Sequence, residues 1–188
     1  QGEEWQWRET VCIMLNKPSG YECTQKMDVH PTVFELLPWQ IQGRGAQCVG
    51  RLDQDTTGLL LITDQGSLNH ALTSPKKRKM KVYEVECKHP VSDEAIEKLN
   101  AGVRLKDARD QLIKAHGARR LSEKRIEMAV GEGKYHQVKR MVAAVSNRVE
   151  SLHRSRVCGL SLPDDLKEGE WRHLSPEEVK ELLLDADE

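Results

Sequence analysis

The chain has 188 residues, 38% of them hydrophobic and 31% charged, which is enough to form one substantial domain with its own core. A formal net charge of −1 argues, by itself, against a partner as acidic as a nucleic acid. The charge is unevenly placed, however, because ten acidic and three basic residues from Asp164 to Glu188 contribute −7 and leave +6 for residues 1–163. The body of the chain is therefore basic enough to contact phosphate groups, whereas its tail is acidic.

Five cysteines are spread along the chain without any Cys-x-x-Cys pair, which indicates neither a disulfide framework nor a zinc site. They are Cys12, Cys23, Cys48, Cys87 and Cys158. The sequence also lacks an apolar run of 18 residues, a signal peptide and a lipidation motif. We therefore expect a soluble cytoplasmic protein with reduced thiols that binds no membrane, no metal ion and no cofactor.

Hydrophobic spacing and helix-capping residues predict the elements of the fold. In chain order they are the strand Val11–Leu15, the helix Thr32–Leu37, the strand Leu59–Thr63, the helix Ser67–Thr73, the strand Val82–Cys87, a helix from the Ser92 cap through Leu99, the strands Leu112–His116 and Arg125–Val130, the helix His136–Ser146, the strand Val149–Arg154, and a helix from the Ser175 cap to about Leu184. Leu112–His116 and Arg125–Val130 are expected to pair with each other.

The irregular order of strands and helices favours an α+β fold with a mixed or mainly antiparallel sheet, rather than a repeated βαβ architecture. We divide the chain into three parts. Residues 1–10 form a polar segment with the character of a linker or tag remnant, and residues 11–175 form the main domain. Residues 176–188 form an acidic helix and tail.

Residues 49–66 join the polar turn Gly50-Arg51-Leu52-Asp53 to two threonines, a glycine and the apolar run Leu59–Ile62. Such a segment mounts a carboxylate on a loop and anchors the loop to a buried strand. On a structural interpretation, Arg51 and Asp53 form a surface ion pair worth about 0–1 kcal/mol. On a functional interpretation, Asp53 is a catalytic carboxylate.

The ten residues from Gly50 to Leu59 resemble the signature of the pseudouridine synthases of the RsuA/RluA superfamily, in which the aspartate after Arg-Leu is catalytic. The resemblance therefore implies that Asp53 is the catalytic residue. It also implies a pseudouridine synthase fold, with a large sheet bent around a central active-site cleft, and an RNA-modifying isomerase that needs no cofactor.

Two further segments resemble the other motifs of this family, in the same order along the chain. In Lys81-Val82-Tyr83 the tyrosine is implied to pack against the target base. In the segment Glu132–Met141, Val138 is implied to line the uracil pocket and Lys139 to pair with the catalytic aspartate. The matches extend from about residue 11 to about residue 174.

Three shorter segments, at residues 16–20, 30–33 and 152–154, resemble the RsuA branch, whose members modify small-subunit ribosomal RNA. Members of this branch carry an RNA-binding domain of the S4 type ahead of the catalytic domain. We expect this chain to be a catalytic domain whose N-terminal module was removed or never present. The expected partner is ribosomal RNA or a ribosome assembly intermediate, bound by a monomer.

Basic residues near these motifs are the candidate RNA contacts. They are Lys76, Lys77, Arg78, Lys79, Lys81, Arg140 and Arg154. Arg51 could fill the space left in the RNA stack when the uridine is flipped out, or bind its phosphate. His136 and Gln137 are expected to support the loop of the third motif.

Three alternatives stay open from the sequence. The first is a Mg²⁺-dependent phosphoesterase that uses Asp53, Asp55 and Asp64. The second is a non-catalytic RNA-binding or ribosome-assembly module with the same fold. The third, inside the family, is a synthase that acts on large-subunit ribosomal RNA. Whether Asp53 adds covalently to the substrate or removes a ribose proton to form a glycal is also left open.

Overall fold

A computed structural model describes residues 8–26, 29–105 and 112–184. Within these ranges, nine strands form one sheet and two short strands form a separate ladder. The strands are β1 (Cys12–Lys17), β2 (Gln47–Val49), β3 (Thr57–Thr63), β4 (Lys81–Cys87), β5 (Val103–Arg104), β6 (Leu112–Ile113), β7 (His116–Arg120), β8 (Arg125–Val130), β9 (Val149–Val157), β10 (Leu160–Ser161) and β11 (Trp171–His173). The predicted α+β class is therefore correct.

The helices are short and pack against the two faces of the sheet. They are α1 (Trp39–Gln42), α2 (Gly66–Thr73), α3 (Asp93–Ala101), α4 (Gln137–Ala144) and α5 (Pro176–Leu183), with 3-10 turns at Val33–Leu36 and Pro75–Lys77. Ser92 caps α3 by accepting a hydrogen bond from the Ala95 N–H, and Ser175 and Glu178 form a capping box at α5, as the sequence predicts. Within the described ranges, no helix has the length and apolar character needed to cross a membrane.

The main sheet runs in the order β11-β1-β3-β9-β4-β8-β7, with β10 beside β9 and β2 beside β3. All neighbours are antiparallel except β3 and β9, which pair in parallel over only two positions. The sheet thus consists of an antiparallel group around β1 and β3 and another around β4 and β9, joined at one short parallel seam. This is the mixed, mainly antiparallel sheet that the sequence predicts.

Gly58 makes that seam possible. Its φ of +105° is unfavourable for residues with a side chain, and a Cβ at this position would collide with the Arg154 backbone, lying 2.8 Å from its nitrogen. Beside it, Thr57 Oγ1 and His153 Nδ1 are 2.8 Å apart. The two halves of the sheet therefore meet at a position that only glycine can occupy without a clash.

Strands β1 and β3 are covered on both faces, which explains why Leu59–Ile62 is continuously apolar. Ile13 and Leu60 point into a large core covered by α3 and α4, while Met14 and Leu61 point into a smaller core covered by α2 and α5. Because both faces are buried, β3 is a fixed support for the loop that precedes it.

One predicted pairing is wrong. Leu112–His116 is not one strand paired with Arg125–Val130: β6 pairs with β5, and it is β7, starting at His116, that pairs with β8. The preceding residues, 106–111, lie outside the described ranges. The two predicted terminal segments, 1–10 and 176–188, also lie partly outside the described ranges, at residues 1–7 and 185–188.

Candidate active site

Asp53 begins a tight turn directly before β3. The Asp53 carbonyl accepts a hydrogen bond from the Thr56 N–H at 3.0 Å, which closes the turn. The fully buried ammonium of Lys17, at the end of β1, donates to the carbonyls of Pro18, Gln54 and Thr56 at 2.8–3.1 Å. The turn that carries Asp53 is thus tied to the neighbouring strand by one buried cation.

The Asp53 carboxylate faces the start of α4, on the other half of the sheet. Lys139 Nζ lies 3.1 Å from Asp53 Oδ2 and 2.7 Å from Asp55 Oδ1, so one ammonium bridges two carboxylates. His136 Nε2 lies 3.4 Å from the same Asp53 oxygen. The contact between Lys139 and Asp53 that the resemblance implies is present, and Asp55 and His136 join it.

The electrostatics of this cluster follow from its contacts. Burial by itself lowers the pKa of Lys139, but hydrogen bonds to Asp55 and Asp53 outweigh burial and raise that pKa above its ordinary value. Partial burial raises the pKa of Asp55, but the hydrogen bond from Lys139 and the positive charge of Lys139 together outweigh burial and lower that pKa. Lys139 therefore stays protonated at neutral pH and presents a fixed positive charge to Asp53.

A cleft opens at Asp53 between the two halves of the sheet. Its walls include Tyr83 from β4, Val138 from α4 and Leu152 from β9, all largely buried. Arg51 stands exposed at the mouth, and among the described residues its guanidinium forms no ion pair with Asp53 or any other carboxylate, which leaves the simple surface-pair interpretation without support. A flat ring, an apolar wall and a carboxylate thus surround one space.

The loop before α4 is closed by Gln137. Its side-chain oxygen accepts from the Lys134 N–H, and its amide nitrogen donates to Glu132 at 3.0 Å. His136 has a left-handed backbone conformation, with φ of +47°, and its ring stacks on Tyr135 at 3.8 Å. Gln137 is therefore a support, as expected, whereas His136 also faces the Asp53 carboxylate.

The basic candidates separate into exposed and buried residues. Lys76, Lys77 and Arg78 are exposed beside the 3-10 turn, and Arg140 is half-buried near Tyr135. Lys79 and Arg154 are buried, and Lys81 is half-buried. Lys79 does not lie with the exposed cluster, because its ammonium donates to the carbonyls of Leu183 and Leu184 at the end of α5.

Asp64 lies at the opposite end of β3 from Asp55. It accepts a hydrogen bond from the Val11 N–H and pairs with Arg44 at 2.8 Å. The three aspartates of the Mg²⁺ alternative are therefore not brought together. Within the described residues no group of three or more His, Cys, Asp and Glu side chains is arranged to hold a metal ion.

The chain matches the family model described as RNA pseudouridylate synthase over residues 11–144. It is 43% identical over 167 residues to the ribosomal small subunit pseudouridine synthase A of Yersinia pestis, covering 89% of this chain and 70% of that protein. The protein with the same name from Escherichia coli (strain K12) is 42% identical over 171 residues, covering 91% of this chain and 73% of that one.

A solved structure described as a pseudouridylate synthase superposes with a TM-score of 0.87 at 37% identity, covering 93% of this chain and 74% of that one. Sequence and fold agree over most of the chain, and the aligned region includes the cleft at Asp53. This chain therefore belongs to the RNA pseudouridylate synthase family and forms the catalytic region of an RNA-modifying isomerase.

Proposed function

We propose that this protein isomerises a uridine of small-subunit ribosomal RNA to pseudouridine, with Asp53 as the catalytic carboxylate. The observation that carries the assignment of Asp53 is its position 3.1 Å from the Lys139 ammonium at the edge of a cleft walled by Tyr83 and Val138. The names of the relatives above support the small-subunit RNA over the large-subunit RNA as the substrate.

The reaction breaks the bond between uracil N1 and ribose C1′, turns the base, and joins C5 to C1′ with release of the proton on C5. It needs a carboxylate at the sugar–base junction and a pocket that retains free uracil while water is excluded. Asp53 supplies the carboxylate, and the Lys139 ammonium, 3.1 Å away, holds it in place. Tyr83 offers a ring to the base, and Val138 forms an apolar wall.

The target uridine must leave the RNA stack before it reaches this cleft. Arg51, exposed at the mouth, would take the place of the base or hold its phosphate. The exposed cations Lys76, Lys77 and Arg78 would contact the RNA backbone, and Arg140 on α4 would add a further contact. The protein would act as a monomer in the cytoplasm. Its substrate would be free ribosomal RNA or a ribosome assembly intermediate.

The alternative of a non-catalytic RNA-binding module requires that the chemical groups be lost or dispersed. Asp53, Tyr83 and Lys139 are instead present and line one cleft. The intact arrangement favours an active enzyme.

The test is tritium release from RNA labelled at uracil C5, with small-subunit and large-subunit RNA as parallel substrates. We expect release from the small-subunit RNA only, and activity of Asp53→Asn below about 1% of wild type. Asp55→Asn is the matched control, since it removes the other carboxylate on Lys139 from a side chain that is 62% exposed. We expect this control to keep at least about a tenth of the activity, because the change does not touch the reacting carboxylate.

A different result would contradict each part of the proposal. Tritium release from the large-subunit RNA alone would overturn the assignment of small-subunit RNA as the substrate. Substantial activity of Asp53→Asn, or a loss in Asp55→Asn as large as that in Asp53→Asn, would overturn the role given to Asp53.

A further inference from the structure

A second cavity, here called the side cavity, adjoins the cleft. Its volume is about 330 Å³, and Arg51, Tyr83, Glu132 and Gly133 line both spaces. The side cavity therefore lies directly beside the place where the target base would lie. No role in the proposed chemistry requires it, because the carboxylate cluster faces the cleft.

The wall of the side cavity contains a buried guanidinium. Arg154 is only 2% exposed, and its Nε donates to the Leu59 carbonyl at 2.8 Å, which fixes the plane of the group. Its two terminal nitrogens have no hydrogen-bond partner among the described residues, yet Arg154 lines the cavity. A guanidinium with two free donors in a fixed plane is suited to bind a phosphate through two parallel hydrogen bonds.

Lys81 places a second cation in the same wall. Its ammonium donates to the Lys79 carbonyl at 2.8 Å and forms no ion pair among the described residues. Burial and the neighbouring positive charge of Arg154 lower the pKa of Lys81. Two partly desolvated cations repel each other, and an anion bound between them would offset this electrostatic repulsion.

The other charges around the side cavity leave it positive. Glu132 stands at the boundary with the cleft, but its carboxylate accepts a hydrogen bond from Gln137. Arg51 adds a further exposed cation at the opening. The cavity is thus built to take a group with a full negative charge.

We propose that the side cavity binds the phosphodiester group next to the target uridine, through the Arg154 guanidinium and the Lys81 ammonium. This inference rests on the proposed function, because it takes RNA as the substrate. It adds an anchor beside Tyr83 that would hold the backbone while the base enters the cleft. An anchor of this kind acts on substrate binding and placement, not on bond cleavage.

The experiment first maps the uridine that wild-type protein converts in small-subunit RNA. A short RNA around that uridine is then made in several versions, each with one neutral methylphosphonate linkage near the target. Affinities are measured with Asp53→Asn protein, so that no turnover occurs, with and without Lys81→Gln. Lys98→Gln is the matched control, because Lys98 lies on α3 and pairs with Glu94 at 2.7 Å.

We expect Lys81→Gln to weaken binding of the unmodified RNA about tenfold, as is typical of a lost charged hydrogen bond. The slope of log affinity against log salt should become shallower by about 0.7, the value for one phosphate on a single strand. The penalty should vanish on one RNA only, the version neutralised beside the target. Lys98→Gln should change none of these values.

An equal penalty on every RNA would overturn the inference, as would the absence of any penalty. Arg154→Lys gives a second reading if thermal denaturation shows that it folds, and it should lose affinity for the same linkage. If wild-type protein converts no uridine in small-subunit RNA, the proposed function fails instead. The two failures are therefore distinct.

Discussion

Replacing Lys17 with methionine tests whether the turn that carries Asp53 depends on a buried cation. The Lys17 ammonium donates to the carbonyls of Pro18, Gln54 and Thr56, and the bond to Thr56 is completely buried. Methionine keeps most of the length and apolar volume of lysine but cannot donate. All three carbonyls would therefore lose a charged donor in one substitution.

The magnitude follows from the burial of these bonds. Loss of the buried bond costs about 2 kcal/mol, and each of the two part-buried bonds costs about 1 kcal/mol. Removal of a desolvated ammonium returns about 1–2 kcal/mol of that sum. We expect a net loss of about 2–3 kcal/mol in the free energy of unfolding, or a fall in Tm of about 5–10 °C for a domain of this size.

The assay combines urea denaturation with tritium release. Because Gln54 and Thr56 flank Asp55 and follow Asp53, kcat should fall by at least about tenfold through misplacement of the carboxylate. Lys98→Met is the control for a lysine removed from an exposed helix, and it should leave both measurements unchanged. A Lys17→Met protein with wild-type stability and kcat would refute the argument that this cation holds the turn.

Two further substitutions test groups in the cleft. Lys139→Met should lower activity at least about a hundredfold but destabilise the fold by only about 1 kcal/mol, because Asp53 is about a third exposed and water can screen it. Combined with Asp53→Asn it should cause little additional loss of activity, and fully multiplicative losses would mean that the two side chains act independently. Tyr83→Phe keeps the ring and removes the hydroxyl, so turnover should fall strongly while RNA affinity changes less than about twofold; normal turnover would leave Tyr83 a packing role only.

Local signals account for the parts of the fold that the sequence predicts well. The caps at Ser92 and Ser175 depend on residues within four positions, and both are present in the structure. The apolar run of β3 is similarly informative, because its continuity follows from burial on both faces. Such features need no knowledge of the distant parts of the chain.

Other elements could not be predicted, because they depend on distant neighbours. Strands of two or three residues, such as Val103–Arg104 and Trp171–His173, are too short to show any hydrophobic period. The mistaken pairing of Leu112–His116 has the same origin: a two-residue strand and the start of the next one read as one continuous segment. Only the partner strands decide where such a segment divides.

The candidate site shows the same division. The motifs pointed to Asp53 and Lys139, but no local pattern indicated that Asp55 shares the ammonium or that His136 turns toward the cluster. The left-handed backbone of His136 is uncommon for any residue other than glycine, so the direction of its side chain could not be read from the sequence. Lys17 was missed for a related reason, because lysine is almost never fully buried.

The location of the cluster at the seam of the sheet links stability to chemistry. Asp53 precedes β3, whereas Lys139 lies on the helix that leads into β9, so their 3.1 Å contact spans the two halves of the sheet. The halves are held in register there by the short parallel pairing at Gly58 and by the Arg154 guanidinium on the Leu59 carbonyl. Any change that shifts β3 against β9 would therefore separate the Asp53 carboxylate from the Lys139 ammonium without altering either residue. The same change would disturb the side cavity, because Arg154 belongs both to the seam and to the cavity wall.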